Sequence, residues 1–386
     1  MSFVIACGVG LILFGALFRK PEGEWSNPWR GALVGWLFCV FAAIALALQS
    51  MTPSLIVTSG GPGQSTLSLG LWHYQNAFQY FKFGYAATIS TLLLISVGLL
   101  GIIATGALIA SNIGLTLAGA EEPADSESST GVARLALFPL ALIGFAIGFI
   151  TVLPLLQSLL QRNPGTEVAV LEVSNSRLWL NTLTPALLSA TMQLTVSALA
   201  AFGIGALRPF GRRSEWLLLL FSPWLFTTVL PLSQAFFEGR RQLGLLNSLS
   251  GNIQPMLVNV PILFLLTLFY KGCEQRYRQE QAAGRTAGLI FAILLPSLPL
   301  VLLAGIALGV ATLQDLYWPM IMNNATENFS WPVMLRLQQA NGIAGIASSI
   351  RAFQLPLIGV TLLVLGVYHL FYLDRLAVTT AHASER

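Results

Sequence analysis

Residues 84–112 run for 29 positions without a single Asp, Glu, Lys, Arg or His. A helix of that length, at 1.5 Å per residue, exceeds the roughly 30 Å hydrocarbon core of a bilayer. Comparable apolar stretches lie near residues 2–18, 31–51, 135–160, 182–206, 215–236, 253–270, 287–312 and 352–373. Together these nine predict an all-α, polytopic membrane protein. Its 20 Lys and Arg and 16 Asp and Glu make up 9% of 386 residues, against roughly 25% in soluble domains. So low a charge content, with 55% hydrophobic residues, excludes a disordered chain, a nucleic-acid-binding domain and an ordinary cytoplasmic enzyme. The first apolar stretch follows Met1 with no basic segment before it, which favours a retained helix over a cleaved signal. Pro154, Pro223, Pro231, Pro255 and Pro261 fall in or beside spans and predict kinks whose freed backbone groups need partners.

Orientation is read from basic residues in alternate loops. With the N-terminus outside and the C-terminus in the cytoplasm, 13 Lys and Arg fall on inner segments and seven on outer ones. Arg240 and Arg241 form an outer pair against the trend. The formal charge of +4 is therefore read as a topology signal rather than as a polyanion-binding surface. The acidic, small-residue stretch from Glu121 to Gly131 reads as a flexible cytoplasmic linker. It divides a three-helix region, 1–120, from a six-helix domain, 135–386, with 121–134 between them.

No Asp or Glu occupies the middle third of any span, which argues against a proton relay, an ion-coupled carrier or an intramembrane hydrolase. His369, near a helix end, reads as a packed or interfacial residue. Cys7, Cys39 and Cys273 are far apart and offer neither a disulfide framework nor a zinc-ligand spacing. No catalytic residue, metal site or cofactor is expected.

Two sets of loops carry more information. The turn Thr58-Ser59-Gly60-Gly61-Pro62-Gly63, followed by an aromatic segment and Gly84-Tyr85-Ala86, resembles the end of the larger permease subunit of maltose-type and glycerol-3-phosphate-type ABC importers. Further along, Asn181-Thr182-Leu183, Gly244-Leu245-Leu246-Asn247-Ser248 and Gln314-Asp315-Leu316-Tyr317-Trp318-Pro319 resemble segments of the companion permease subunit in the same order. The resemblance covers about 30–112 and 175–386. It departs from the family at the cytoplasmic coupling helix, written Glu-Ala-Ala-x-x-x-Gly: here Glu280, Ala282, Ala283 and Gly284 stand out of register. A degenerate coupling segment and a solvated, charged helix end both fit these residues.

The resemblance implies a transport subunit of the plasma (inner) membrane that is not itself an enzyme. It would work with a second permease subunit, an ATP-binding-cassette ATPase, an external substrate-binding protein and membrane lipid, and with no nucleic acid. Gly60, Gly61, Pro62, Gly63, Asp315, Trp318 and Pro319 would face the binding protein. Glu280, Ala282, Ala283 and Gly284 would meet the ATPase, while Asn181, Gln193, Gln254 and Asn259 are the polar candidates for a carbohydrate or polyol path. Trp318 and Trp331 fit an interfacial aromatic belt equally well. The alternative function is a structural subunit of another membrane complex, descended from a permease that no longer transports.

Overall fold

The computed structural model describes residues 28–117, 173–282, 284, 288, 290–340 and parts of 353–380. The expected spans at 2–18 and 135–160, the acidic linker, Cys7, Ala283 and His369 lie outside the described residues. Two compact units are present, one built from residues up to 118 with 173–334 and 364–386, the other from 119–172 and 335–363. The first holds every feature discussed below.

Its helices are α1 (Pro28–Gln49), α2 (Leu69–Tyr74), α3 (Phe83–Ser111), α4 (Asn175–Phe202), α5 (Ser233–Gln242), α6 (Val260–Ala282), α7 (Leu295–Leu313) and α8 (Tyr317–Met322). A last helix, α9 (Trp331–Ala340), begins in this unit. Four segments among the described residues are long and apolar enough to cross a membrane: Leu33–Thr58, Phe83–Ser111, Asn175–Leu207 and Phe291–Leu313. The architecture is mostly helical and compatible with a polytopic membrane protein.

Helix α3 illustrates why. It ends at Asn112, whose left-handed backbone (φ 51°) caps the last turn. Its buried side is largely small or β-branched, with Ala86, Ser90, Val97, Gly98, Gly101, Ala104 and Thr105 at helical spacing. On its other sides Leu92, Ile95, Leu99, Ile102 and Ile103 are exposed. Small residues inward and large apolar residues outward invert the pattern of a water-soluble helix and suit contact with lipid.

Two of the expected spans are not continuous helices. Residues 215–236 form a series of short turns, with Leu218–Phe221, Ser222–Trp224 and Leu230–Leu232 helical and the backbone opening between them. Pro223 and Pro231 remove two amide donors here, and the gap is closed by Gln49 from α1. The Gln49 amide donates to the Phe226 carbonyl at 2.9 Å, and its oxygen accepts from the Thr228 amide at 2.8 Å and hydroxyl at 2.9 Å. Residues 253–259, expected to open the seventh span, are irregular, and α6 starts only at Val260. This stretch is held by α4: Ser189 Oγ accepts from the Gln254 amide at 2.9 Å, while Ser197 Oγ accepts from the Asn259 amide at 2.9 Å and donates to its carbonyl at 3.1 Å.

A small antiparallel ribbon also departs from the all-α expectation. Strand β1 (Ile113–Leu117) pairs with β2 (Leu376–Thr380), Ile113 opposite Thr380 and Leu117 opposite Leu376. It joins the exit of α3 to the C-terminal tail, both expected on the cytoplasmic side. Ile113, Leu115 and Leu376 are buried in the core that surrounds α6.

Helix α3 approaches the broken segment closely. A Cβ on Gly101 would stand 2.0 Å from the Ser222 carbonyl oxygen, whereas one on Gly106, a turn further on, would meet nothing within 4 Å. Gly101→Ala should therefore destabilise by about 1–3 kcal/mol. Gly106→Ala should be neutral or slightly stabilising through helix propensity. Melting temperatures of the two variants in detergent check this; equal values would contradict the packing.

Candidate functional site

At the end of the unit expected to face the cytoplasm, α6 runs unbroken past its apolar half to Ala282. Glu280 and Ala282, expected in the coupling segment, thus lie on the last turn of this helix. Ala282 and Gly284 are exposed, and the Gly284 backbone is left-handed at φ 81°. Glu280 pairs with Arg276 one turn back, at 3.2 Å.

Directly before these residues lies a buried ionic cluster that sequence reading missed. The Lys271 ammonium, 1% exposed, is 2.8 Å from the Glu215 carboxylate and donates to Asn112 Oδ1 at 2.7 Å. Glu215 also accepts from Arg208 at 3.0 Å, and Arg208 reaches Glu274 at 3.4 Å. Glu274 is bonded in turn to the exposed Arg278. Five charges therefore tie the base of the α6 extension to the 208–215 loop and to the C-cap of α3. Three cations against two anions, each within reach of an opposite charge, offset the cost of removing them from water. The only sequence signal was Lys271 and Glu274, spaced i and i+3 directly after an apolar run.

At the opposite end, the neutral polar residues converge. The sequence candidates Asn181 and Gln254, with Asp315 and Pro319, line a cavity of about 20 Å³ between the ends of α4 and α7, room for about one water molecule. Gln193 does not line it but donates to Gln254 Oε1 at 3.2 Å, and Gln254 donates to the Asp315 carboxylate at 2.6 Å. Asn259 stands apart: its side chain caps α6 by accepting from the Ile262 amide at 3.2 Å. Asn181 donates to the carbonyls of Glu327 at 2.8 Å and Phe329 at 3.2 Å, so it fastens a loop while it borders the cavity. Crowding by protein raises the Asp315 carboxyl above its usual range, opposed by the Gln254 hydrogen bond.

Trp318 and Pro319 present no surface to a partner. Trp318 is 0% exposed and donates its indole N–H to the Gly251 and Ile253 carbonyls at 3.0 and 3.2 Å. Trp331, also buried, packs edge-on against Trp179 at 6.2 Å. Both are core residues rather than members of an interfacial belt, because the loops around them fold back over the bundle. The loops themselves interlock, with Asn247 Oδ1 accepting from the Asn324 amide at 2.6 Å and the Ala325 amide at 3.1 Å. Arg240, anomalous as a topology charge, donates to the Ser250 carbonyl at 3.1 Å.

The 60–63 turn is different, since Pro62 and Gly63 are exposed and Gly61 is half-buried, although Gly60, expected to face a partner with them, is buried. Gly60 and Gly63 have φ of 90° and 57°, and the Gly61–Pro62 peptide is cis. Thr66 closes the turn by donating to the Gly61 carbonyl at 2.9 Å. Close by in sequence, His73 forms a buried polar group that was also missed: its Nε2 lies 3.1 Å from Ser233 Oγ, which is 2.6 Å from the Tyr317 hydroxyl, and Ser90 Oγ lies 3.1 Å from Nδ1. Burial lowers the His73 pKa, against a raising contribution from the Ala86 carbonyl.

Over 59 residues the chain is 39% identical to "Probable ABC transporter permease protein YesP" of Bacillus subtilis, a match covering 15% of this chain and 19% of that protein. The chain thus spans about a fifth of the length of the curated relative that it matches. No family model matches, and no solved structure matches. The similarity supports a permease in general, and the apolar helices described above agree with it.

Two outcomes follow from this geometry. Lys271→Met leaves a buried carboxylate short of a partner and should cost about 3 kcal/mol, much of it recovered when Glu215→Gln is added; chemical denaturation of the single and double variants checks this. For His73, the folded-state pKa lies below the unfolded value of about 6.5. The unfolded chain therefore binds more protons below that pH, and stability falls as pH drops through this interval. His73→Gln should flatten that dependence, as read by melting temperature between pH 7 and 5.

Proposed function

We propose that this chain is a transmembrane permease subunit of a binding-protein-dependent ABC importer for a carbohydrate or polyol derivative. It would sit in the plasma (inner) membrane with about nine spans, alongside a second permease subunit, an ATP-binding-cassette ATPase and an external binding protein. ATP hydrolysis would belong to the partner. The observation that carries the reading is the partial similarity to an ABC transporter permease in a chain of apolar, lipid-suited helices.

The geometry adds support at both ends. A helix that extends beyond its apolar half, anchored at its base by five charges and ending in exposed small residues, suits a lever seated in the cleft of a soluble ATPase. The tip of the 60–63 turn, exposed at Pro62 and Gly63 while Gly60 is buried, suits contact with an external protein. A mostly neutral opening between α4 and α7, lined by hydroxyls and amides with the one carboxylate of Asp315, suits a polyhydroxylated solute. The cavity of about 20 Å³ is far below the roughly 300 Å³ or more of a small-molecule pocket, so transport requires α4 and α7 to part. The three-helix region 1–120 and the six-helix domain 135–386 remain the proposed division of the chain.

The test is made in the assembled complex. Gly284→Trp and Ala282→Trp should each lower stimulated ATP hydrolysis at least tenfold, with assembly intact. Unchanged hydrolysis would refute the coupling role of this helix end and favour the alternative, a non-transporting structural subunit.

A further inference from the structure

At the end expected to face the cytoplasm, the chain leaves α4 and turns sharply through Arg208 and Gly211, both left-handed at φ 46° and 56°. A short 3₁₀ helix, Gly211–Leu217, follows. With three residues per turn, side chains three positions apart in such a helix lie above one another. Arg213 and Trp216 therefore share one face. The Arg213 amide donates to the Phe210 carbonyl at 3.1 Å, which sets Phe210 one turn before them. All three residues are exposed, Phe210 at 65% and Trp216 at 60%. The other side of the turn is fixed to the protein: Ser214 is buried and accepts from the Phe210 amide at 3.0 Å, while Glu215 is held by Lys271 and Arg208.

Two large aromatic side chains held outward from a pinned turn are unfavourable in bulk water. Their place in the chain accounts for them. The apolar segment Asn175–Leu207 ends directly before the turn, and the segment after it again shows exposed apolar side chains at Leu220 and Trp224. The stripe thus lies where two lipid-suited segments reach the edge of the hydrocarbon, the depth that tryptophan favours. Arg213 makes no ion pair among the described residues, and the neighbouring carboxylates of Glu215 and Glu274 are each bonded to other cations. Arg212 adds positive charge to the same turn. A guanidinium so placed matches a phosphate. Free phosphate would leave both rings bare, whereas a phospholipid brings a phosphate and an apolar body together.

We propose that Phe210, Arg213 and Trp216 form a binding site for one anionic phospholipid of the inner leaflet. The Arg213 guanidinium pairs with the headgroup phosphate, and the two rings lie against the glycerol and the upper acyl chain. A zwitterionic lipid is disfavoured, because its own ammonium meets a turn that is already positive. Glu215, on the back of this turn, belongs to the network that anchors α6, so an occupied site also steadies the base of that helix. The inference rests on the chain being embedded in a membrane and not on what it transports.

The experiment uses the full chain in phosphatidylcholine nanodiscs, with its native partners if they copurify. Phosphatidylglycerol or phosphatidylcholine brominated high on the acyl chain is titrated in as a contact quencher. The Trp216 signal is the fluorescence difference between wild type and Trp216→Tyr. Brominated phosphatidylglycerol should quench it at about one fifth of the mole fraction that brominated phosphatidylcholine requires. Arg213→Gln should bring the two lipids level while Trp216 stays quenched, and salt at about 1 M should narrow the gap in wild type. Should Trp216→Tyr fail to fold, native mass spectrometry supplies the readout, with wild type retaining more phosphatidylglycerol than Arg213→Gln. Three results would overturn the proposal: a Trp216 signal that neither lipid quenches, as water or a partner protein over the stripe would produce; equal quenching by both lipids in wild type; or a preference for phosphatidylglycerol that survives Arg213→Gln by either readout.

Discussion

A polar backbone group in the hydrocarbon of a bilayer has no water to turn to, and the described unit is organised around meeting that demand. Two of the segments expected to cross are broken, one at Pro223 and Pro231 and one before Val260. Each break is repaired from a neighbouring helix. Gln49 serves three backbone and hydroxyl groups at 226–228, and Ser189 and Ser197 hold the irregular 253–259 stretch against α4. These contacts fix which helices are neighbours, and the small faces of α3 and α4 follow from the same need for close approach.

The two ends of the unit then differ in chemistry. At the expected cytoplasmic end the polar groups are charged and paired in a network, which joins α6, the 208–215 loop and the exit of α3. At the other end they are mostly neutral, with Asp315 the exception, and they enclose a small opening between α4 and α7. A charged, cross-linked base beneath a projecting helix suits the transmission of force. A mostly neutral opening bounded by interlocked loops suits the selective passage of a solute, and together these contrasts favour a transport subunit over an inert span.

Much of the helical framework was legible because long apolar runs carry their meaning in composition alone, as in 84–112. The broken spans were not, because hydropathy adds up apolar content and is blind to whether prolines allow one continuous helix. Trp318 and Trp331 were open to an interfacial reading because a tryptophan at the end of a span looks the same whether its loop stays at the surface or folds inward. Lys271 found its partners 56 and 159 positions away, and the β1–β2 ribbon joined residues more than 250 positions apart. No local pattern encodes such pairings. Of the substrate-path candidates, Asn181 and Gln254 do border a cavity. Gln193 supports it from behind, and Asn259 proved to be a helix cap, a role that an asparagine directly before an apolar helix could have suggested.

The most direct test is gentle purification of the chain from its native membrane, with every stoichiometric companion identified by mass spectrometry. A permease subunit should carry with it an ATP-binding-cassette ATPase and a second permease chain. Recovery of a different membrane assembly, with no ATPase at stoichiometric amount, would contradict the transport account.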